Sequence, residues 1–241
     1  MTGVDSLQYL IQKLHETGLA NRPGKLLYSG TEALRPGPVY LLGYNPGGEP
    51  DHETASILSH ICASTSATRN EYLDAAWATR TYSFPAGMAP LQRRVHYLLT
   101  ALGLDVRTVC ASNLIFVRSK SAQHLETPRQ LAEQCWPVHQ LLLAMVRPGS
   151  IISFGKKVWD FVSERACILT SVEYLSSGHG NWTCLFSHIS IDGREMRLIS
   201  LPHLSRYAID HHPEVIRWAR TKLSAEPRAK TDHAFLAHIN G

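Results

Sequence analysis

Three polar side chains stand where short apolar runs end. Asn45 lies in GYNPGGEP after Val39-Tyr40-Leu41-Leu42, Asn113 follows Thr108 to Ser112, and His203 follows Met196 to Leu201 and Pro202. An amide offers one donor side and one acceptor side, and an imidazole donates or accepts a proton near neutrality. Such groups can read a donor-acceptor edge and carry a proton. Each has a plain alternative: Gly43 to Gly48 as a turn chosen for backbone geometry, Asn113 as an amide satisfying buried backbone, His203 as a hydrogen-bonded rim histidine.

What gives the three a common purpose is the chain around them. The runs Val39 to Leu42, Thr108 to Ser112, Ser150 to Phe154 and Met196 to Leu201 read as buried strands, each closed by Gly, Asn or Pro. Helical periodicity covers Pro90 to Leu102, Thr127 to Val146 and Lys156 to Arg165, each long enough to be a crossover. An opening helix is expected over Ser6 to Leu19 and a closing one over His211 to Ala225, with a loosely held tail from Glu226 to Gly241. Trp182 to Ile191 and Glu195 to Leu201, joined by Asp192-Gly193, predict a hairpin that delivers the last strand. Alternation of this kind predicts an α/β fold, a three-layer α/β/α sandwich on a central, mainly parallel four-stranded sheet. Ligands bind beyond the carboxyl ends of such strands, where Asn45, Asn113 and His203 would share one rim.

The totals narrow the class. The chain has 241 residues, 44% of them hydrophobic and 18% charged, which suits one globular domain spanning 1–241. The longest apolar run, Leu141 to Val146, is far short of a membrane span, and the first residues have no signal-type pattern, so a cytoplasmic protein is expected. The formal net charge of +4 allows a polyanionic partner without demanding one. Five cysteines, widely spaced and without a CxxC pair, favour small core residues over a disulfide framework or a zinc ribbon. Thirteen histidines form no HExxH or HxH unit, so no metal is expected.

The ordered set of motifs resembles the uracil-DNA glycosylase superfamily. Members carry a GxDP or GxNP water-positioning motif, an Asn that reads the flipped pyrimidine and a late HPS-type loop. These look like GYNP at Gly43 to Pro46, Asn113 in SNLIFVRS, and PHLSR at Pro202 to Arg206, over roughly Val39 to Tyr207. The family's HPS reads His203-Leu204-Ser205, without the proline.

The resemblance implies a DNA glycosylase with Asn45 orienting water and His203 donating to the leaving base, which has a physical basis. Cleaving an N-glycosidic bond places positive charge on the sugar and negative charge on the base, so a held water and a donor are what the site needs. Asn113 pairs with a pyrimidine edge but suits uracil or, flipped, cytosine. Tyr44 and Gly47 are expected at the base. Gly47 stands where strict uracil enzymes have a tyrosine against C5, so a C5 substituent is accommodated. Phe84, then Tyr82, are the candidates to stack on the extruded base. Leu204 or Arg206 is the expected wedge, with Ser205 and Arg118 also at DNA, and Arg206 alternatively on a phosphate. Five basic residues within Arg93 to Lys120 and six within Leu204 to Lys230 flank this rim.

From Glu49 to Arg80 five acidic residues face two arginines, a lid or pocket wall for a bulky base, or a solvated insertion. No lysine lies within the motifs, so a monofunctional enzyme without lyase activity or cofactor is expected, acting as a monomer on DNA with no membrane partner. The preferred base is a modified cytosine, as in the anti-phage branch that attacks glucosylated hydroxymethylcytosine. Uracil or oxidised-uracil repair is the alternative within the class; a non-catalytic nucleic-acid-binding module and a hydrolase of free nucleosides or nucleotides stand outside it.

Overall fold

The computed structural model describes residues 3–48, 54–63, 68–78 and 82–225; the expected tail therefore lies outside the described residues. Helix α1 (Gly3–Glu16) is followed by strand β1 (Val39–Gly43), a short helix α2 (Ile57–Ala63) and a two-stranded ribbon of β2 (Trp77–Ala78) and β3 (Ser83–Phe84). Then come α3 (Pro90–Ala101), β4 (Cys110–Asn113), α4 (Pro128–Val146), β5 (Ser150–Phe154) and α5 (Lys156–Arg165). Strands β6 (Cys167–Ile168), β7 (Glu173–Ser176), β8 (Thr183–Ile191) and β9 (Arg194–Leu201) precede the closing helix α6 (Pro213–Leu223).

The central sheet runs β4-β1-β5-β9-β8-β6, with β7 also paired to β8. Its first four strands are parallel, as expected. The sheet is wider than the four strands expected, because β6, β7 and β8 extend it in antiparallel fashion to seven. Beyond β4 the other edge is covered by the segment before β1, where Leu27 bridges Ser112 and Gly24 bridges Val117.

Alternation along β1 divides the core into two clusters. Tyr40 and Leu42 join Leu10 and Leu14 of α1, Val138 and Leu142 of α4 and Val158 of α5. Val39 and Leu41 join Val95 and Leu98 of α3 and Val215 and Ala219 of α6 on the opposite face. Period-2 strands between period-3.6 helices thus make three layers. Asp192 and Gly193 turn the β8-β9 hairpin at φ of +50° and +77°, as two-residue loops require. Cys110, Cys135 and Cys184 are buried, and burial pushes each thiol up to about 12, while Cys62 and Cys167 are exposed.

Candidate functional site

Because β4, β1, β5 and β9 are parallel neighbours, the loops leaving their carboxyl ends share one rim. Asn113 is the last residue of β4, Asn45 follows β1 by two positions, and His203 follows β9 by two.

The loop after β1 is zipped to the loop after β4. Leu114 N donates to Gly43 O at 2.9 Å, Ile115 N to Tyr44 O at 2.9 Å and Ser119 N to Pro46 O at 3.1 Å. The Arg118 guanidinium donates to the Gly47 carbonyl. Within this clamp the Asn45 amide has one orientation. Its Nδ2 donates to Pro46 O and to Ser119 Oγ, both at 2.9 Å. A carbonyl only accepts, so the nitrogen must face Pro46 and both N–H groups are spent. Ser119 Oγ passes its own proton to Ser121 O at 2.8 Å, again an acceptor only. Asn45 Oδ1, a pure acceptor, has no hydrogen-bond partner among the described residues. Ser119 carries no signal of its own in the sequence, where it is one serine beside the more conspicuous Arg118.

Asn113 pairs in register with Gly43, and its amide lies against that glycine: a Cβ on Gly43 would collide with Asn113 Oδ1. The residue is 7% exposed, and among the described residues its amide makes no side-chain hydrogen bond. It is therefore not an amide spent on buried backbone. Beneath it, His139 on α4 donates from Nε2 to Leu114 O at 3.0 Å and accepts from the Tyr40 hydroxyl at Nδ1, 2.8 Å. Burial holds His139 down to about 4, against the opposing pull of the Leu114 and Asn113 carbonyls, so this link is neutral at physiological pH.

His203 is half-buried over β5, its ring edge-on to Phe154 at 6.4 Å and its Cβ 3.9 Å from where a Gly155 Cβ would lie. Ser205 N donates to His203 Nδ1 at 3.3 Å, and Ser205 Oγ lies 2.8 Å from the same nitrogen. Since Nδ1 accepts, the neutral ring carries its proton on Nε2, which has no hydrogen-bond partner among the described residues. Desolvation, then the neighbouring Arg206 charge, lowers the imidazole below its ordinary value. The result is a neutral donor. Arg94 on α3 fixes the loop, donating to Leu204 O at 2.7 Å and Ser205 O at 3.0 Å.

Leu204 is corrected as a wedge candidate. It is fully buried in the cluster shared with α3 and α6, so its side chain has no path to a groove. Ser205 and Arg206 are exposed. Gly47 is also exposed, and among the described residues a Cβ there would meet nothing within 4 Å. Tyr44 is half-buried against the core, and its ring faces the Lys157 ammonium at 5.0 Å. That contact brings a lysine from α5 beside the GYNP loop, which sequence spacing conceals.

Phe84 and the 67% exposed Tyr82 lie 6.3 Å apart at the β2-β3 ribbon. Phe84 pairs with Trp77, which packs on Tyr28 and Tyr72 at 6.4 and 6.1 Å. Tyr28 N in turn donates to Ala111 O on β4 at 2.9 Å, so the ribbon is tied to the Asn113 side of the sheet. In the segment from 49 to 80, Glu49, Asp51, Glu53 and Arg80 lie outside the described residues; Glu71 is withdrawn from solvent, whereas Asp74 is exposed but paired. Glu71 is buried with Lys25 Nζ at 2.6 Å and His60 Nε2 at 3.6 Å, and Asp74 takes two hydrogen bonds from Arg107. Burial works to raise the Glu71 carboxyl, but His60 and Lys25 outweigh it and hold it at about 2.

Among the described residues no group of three His, Cys, Asp or Glu side chains is placed to hold a metal ion, and no helix is long and apolar enough to cross a membrane. No protein-family model matches the chain, and no curated protein matches its sequence.

Proposed function

We propose that the chain is a monofunctional DNA glycosylase that hydrolyses the N-glycosidic bond of a pyrimidine turned out of the stack, with a C5-modified cytosine such as glucosylated 5-hydroxymethylcytosine as preferred base. One observation carries the reading: an oriented amide acceptor, an uncommitted amide and a neutral imidazole donor occupy one rim of four parallel strands. In this scheme the C1′–N1 bond breaks with both electrons leaving on the base, and Nε2–H of His203 stabilises the anion at the pyrimidine O2. Asn45 Oδ1 holds a water whose oxygen bonds to C1′ of the cationic sugar while its proton passes to solvent. An amide is no strong base, so it orients the water rather than deprotonating it. Asn113 pairs with the base edge, and the open space at Gly47 admits a C5 substituent.

The test incubates the protein with oligonucleotides bearing uracil, hydroxymethyluracil or glucosylated hydroxymethylcytosine, then cleaves abasic sites with alkali. Alkali-dependent scission at the glucosylated base supports the proposal, uracil as sole substrate removes the modified-cytosine part, and no scission at any base removes the enzyme. Borohydride should trap no covalent complex, a direct check on Lys157. Asn45→Ala should abolish most turnover while DNA binding persists; a binding module would keep its cellular effect in that variant.

A further inference from the structure

The turn between β7 and β8 belongs to none of the motifs above. Pairing of β8 with β9 sets Leu185 opposite Ser200, and continuing that register brings Trp182 level with His203. The turn from Ser177 to Trp182 therefore stands on the same rim. Its backbone is closed by Ser177 N to Trp182 O at 2.9 Å and Trp182 N to His179 O at 3.2 Å. Gly178 and Gly180, at φ of +72° and +54°, take the left-handed positions. From below, the fully buried Tyr207 donates its hydroxyl to Ser177 O at 2.6 Å and meets the His179 ring edge-on at 6.3 Å. Tyr207 is itself stacked on His212 at 4.5 Å, and His212 pairs with Glu214. The turn and the His203 loop are thus fastened to each other.

On the solvent side, His179 and Trp182 lie with ring centroids 4.7 Å apart, both exposed, Trp182 by 37%. Arg206 is exposed on the neighbouring loop, and the nearby Glu214 carboxylate is engaged by His212. Two exposed rings on a turn fastened through Tyr207 to the loop that carries Arg206 match the two parts of a polynucleotide, an apolar base and a phosphate.

We infer that the His179-Trp182 turn is a stacking platform for an unpaired nucleobase of the bound strand, a second contact beside the His203 loop; the inference rests on the DNA reading proposed above. Every base has a π face, so the platform adds affinity without choosing sequence. The test measures fluorescence anisotropy of a labelled oligonucleotide carrying one tetrahydrofuran abasic residue, single-stranded and as duplex, across a salt series. Trp182→Ala should weaken binding by about 5- to 150-fold and leave the salt slope unchanged. Trp182→Phe should bind nearly as wild type but lose the tryptophan quenching that the oligonucleotide causes, and Arg206→Ala should lower the salt slope by about 1. Wild-type binding with unchanged affinity in Trp182→Ala overturns the platform alone. Absence of salt-dependent binding by the wild type overturns the DNA reading and the platform with it.

Discussion

Replacing Ser119 by alanine removes one of the two acceptors that orient the Asn45 amide and leaves Pro46 O as the other. Ser119 does not itself face the bond to be broken; it acts through Asn45. Loss of one neutral hydrogen bond is worth about 0.5–1.5 kcal/mol, which in a barrier is about a 2- to 12-fold slower chemical step. On the proposed reading, single-turnover base excision by Ser119→Ala should fall by that factor at saturating enzyme, with KM unchanged, because ground-state binding does not use the Asn45 acceptor. A general loosening of the loop would also slow the enzyme, so the decisive measurement is the double-mutant cycle with Asn45→Ala. Once the amide is gone, deleting Ser119 should cost nothing further. An equal loss from Ser119→Ala in both backgrounds, or a loss confined to KM, refutes the positioning argument.

Gly43→Ala is expected to leave the fold intact and, on the proposed reading, to abolish base recognition: the new methyl displaces the Asn113 amide, the far end of a flexible side chain, so thermal denaturation should change little and excision should fall sharply. Glu71→Gln leaves the Lys25 ammonium without its carboxylate at two side chains only 12% and 9% exposed, for a cost of about 3–5 kcal/mol, or about 6–20 °C in Tm. The same carboxylate sets an acid limit. Its folded value of about 2 lies below the ordinary 4.5, so its stabilisation is complete above the latter and fades as pH falls through the former; urea titrations should show a flatter acid limb in Glu71→Gln. In NMR titration His203 should protonate below the ordinary 6.5, and Arg206→Ala should move it part of the way back, since desolvation, the larger cause, stays.

The parallel half of the sheet was legible because each strand is a short, mainly apolar segment stopped by Gly, Asn or Pro, and helices α3, α4 and α5 fall within a residue of their periodic segments. What escaped the sequence lacks such marks. Strand β6 is two exposed residues and β7 is Glu-Tyr-Leu-Ser, mostly exposed, with too little alternation to register. Helix α2 buries only Ile57 and Ile61 within seven residues. The direction of Leu204 is illegible for a different reason. A hydrophobic residue in a loop carries no record of which way it points, and here Arg94 draws the Leu204 and Ser205 carbonyls toward α3, with the Leu204 side chain packed in that core. Likewise the burial of Glu71 is not legible, because its partner Lys25 comes from a distant part of the chain, as does Arg107, the partner of the exposed Asp74.

Those distant partners bear on how the rim can work. Among the described residues, Glu71 is occupied by Lys25 and His60, Asp74 by Arg107 and Glu214 by His212, so these three carboxylates already have side-chain partners. The groups the proposal uses are two amides and an imidazole whose burial favours the uncharged form. On the proposed reading, a trio of uncharged groups has little power to drive water at an intact glycosidic bond. It can stabilise charge that appears as the bond opens, and hold a water where the cation will be. On the proposed reading, then, the electrostatic demand falls on His203 and the geometric demand on Asn45, which is why the clamp of Pro46, Ser119 and Ser121 leaves that amide no second orientation.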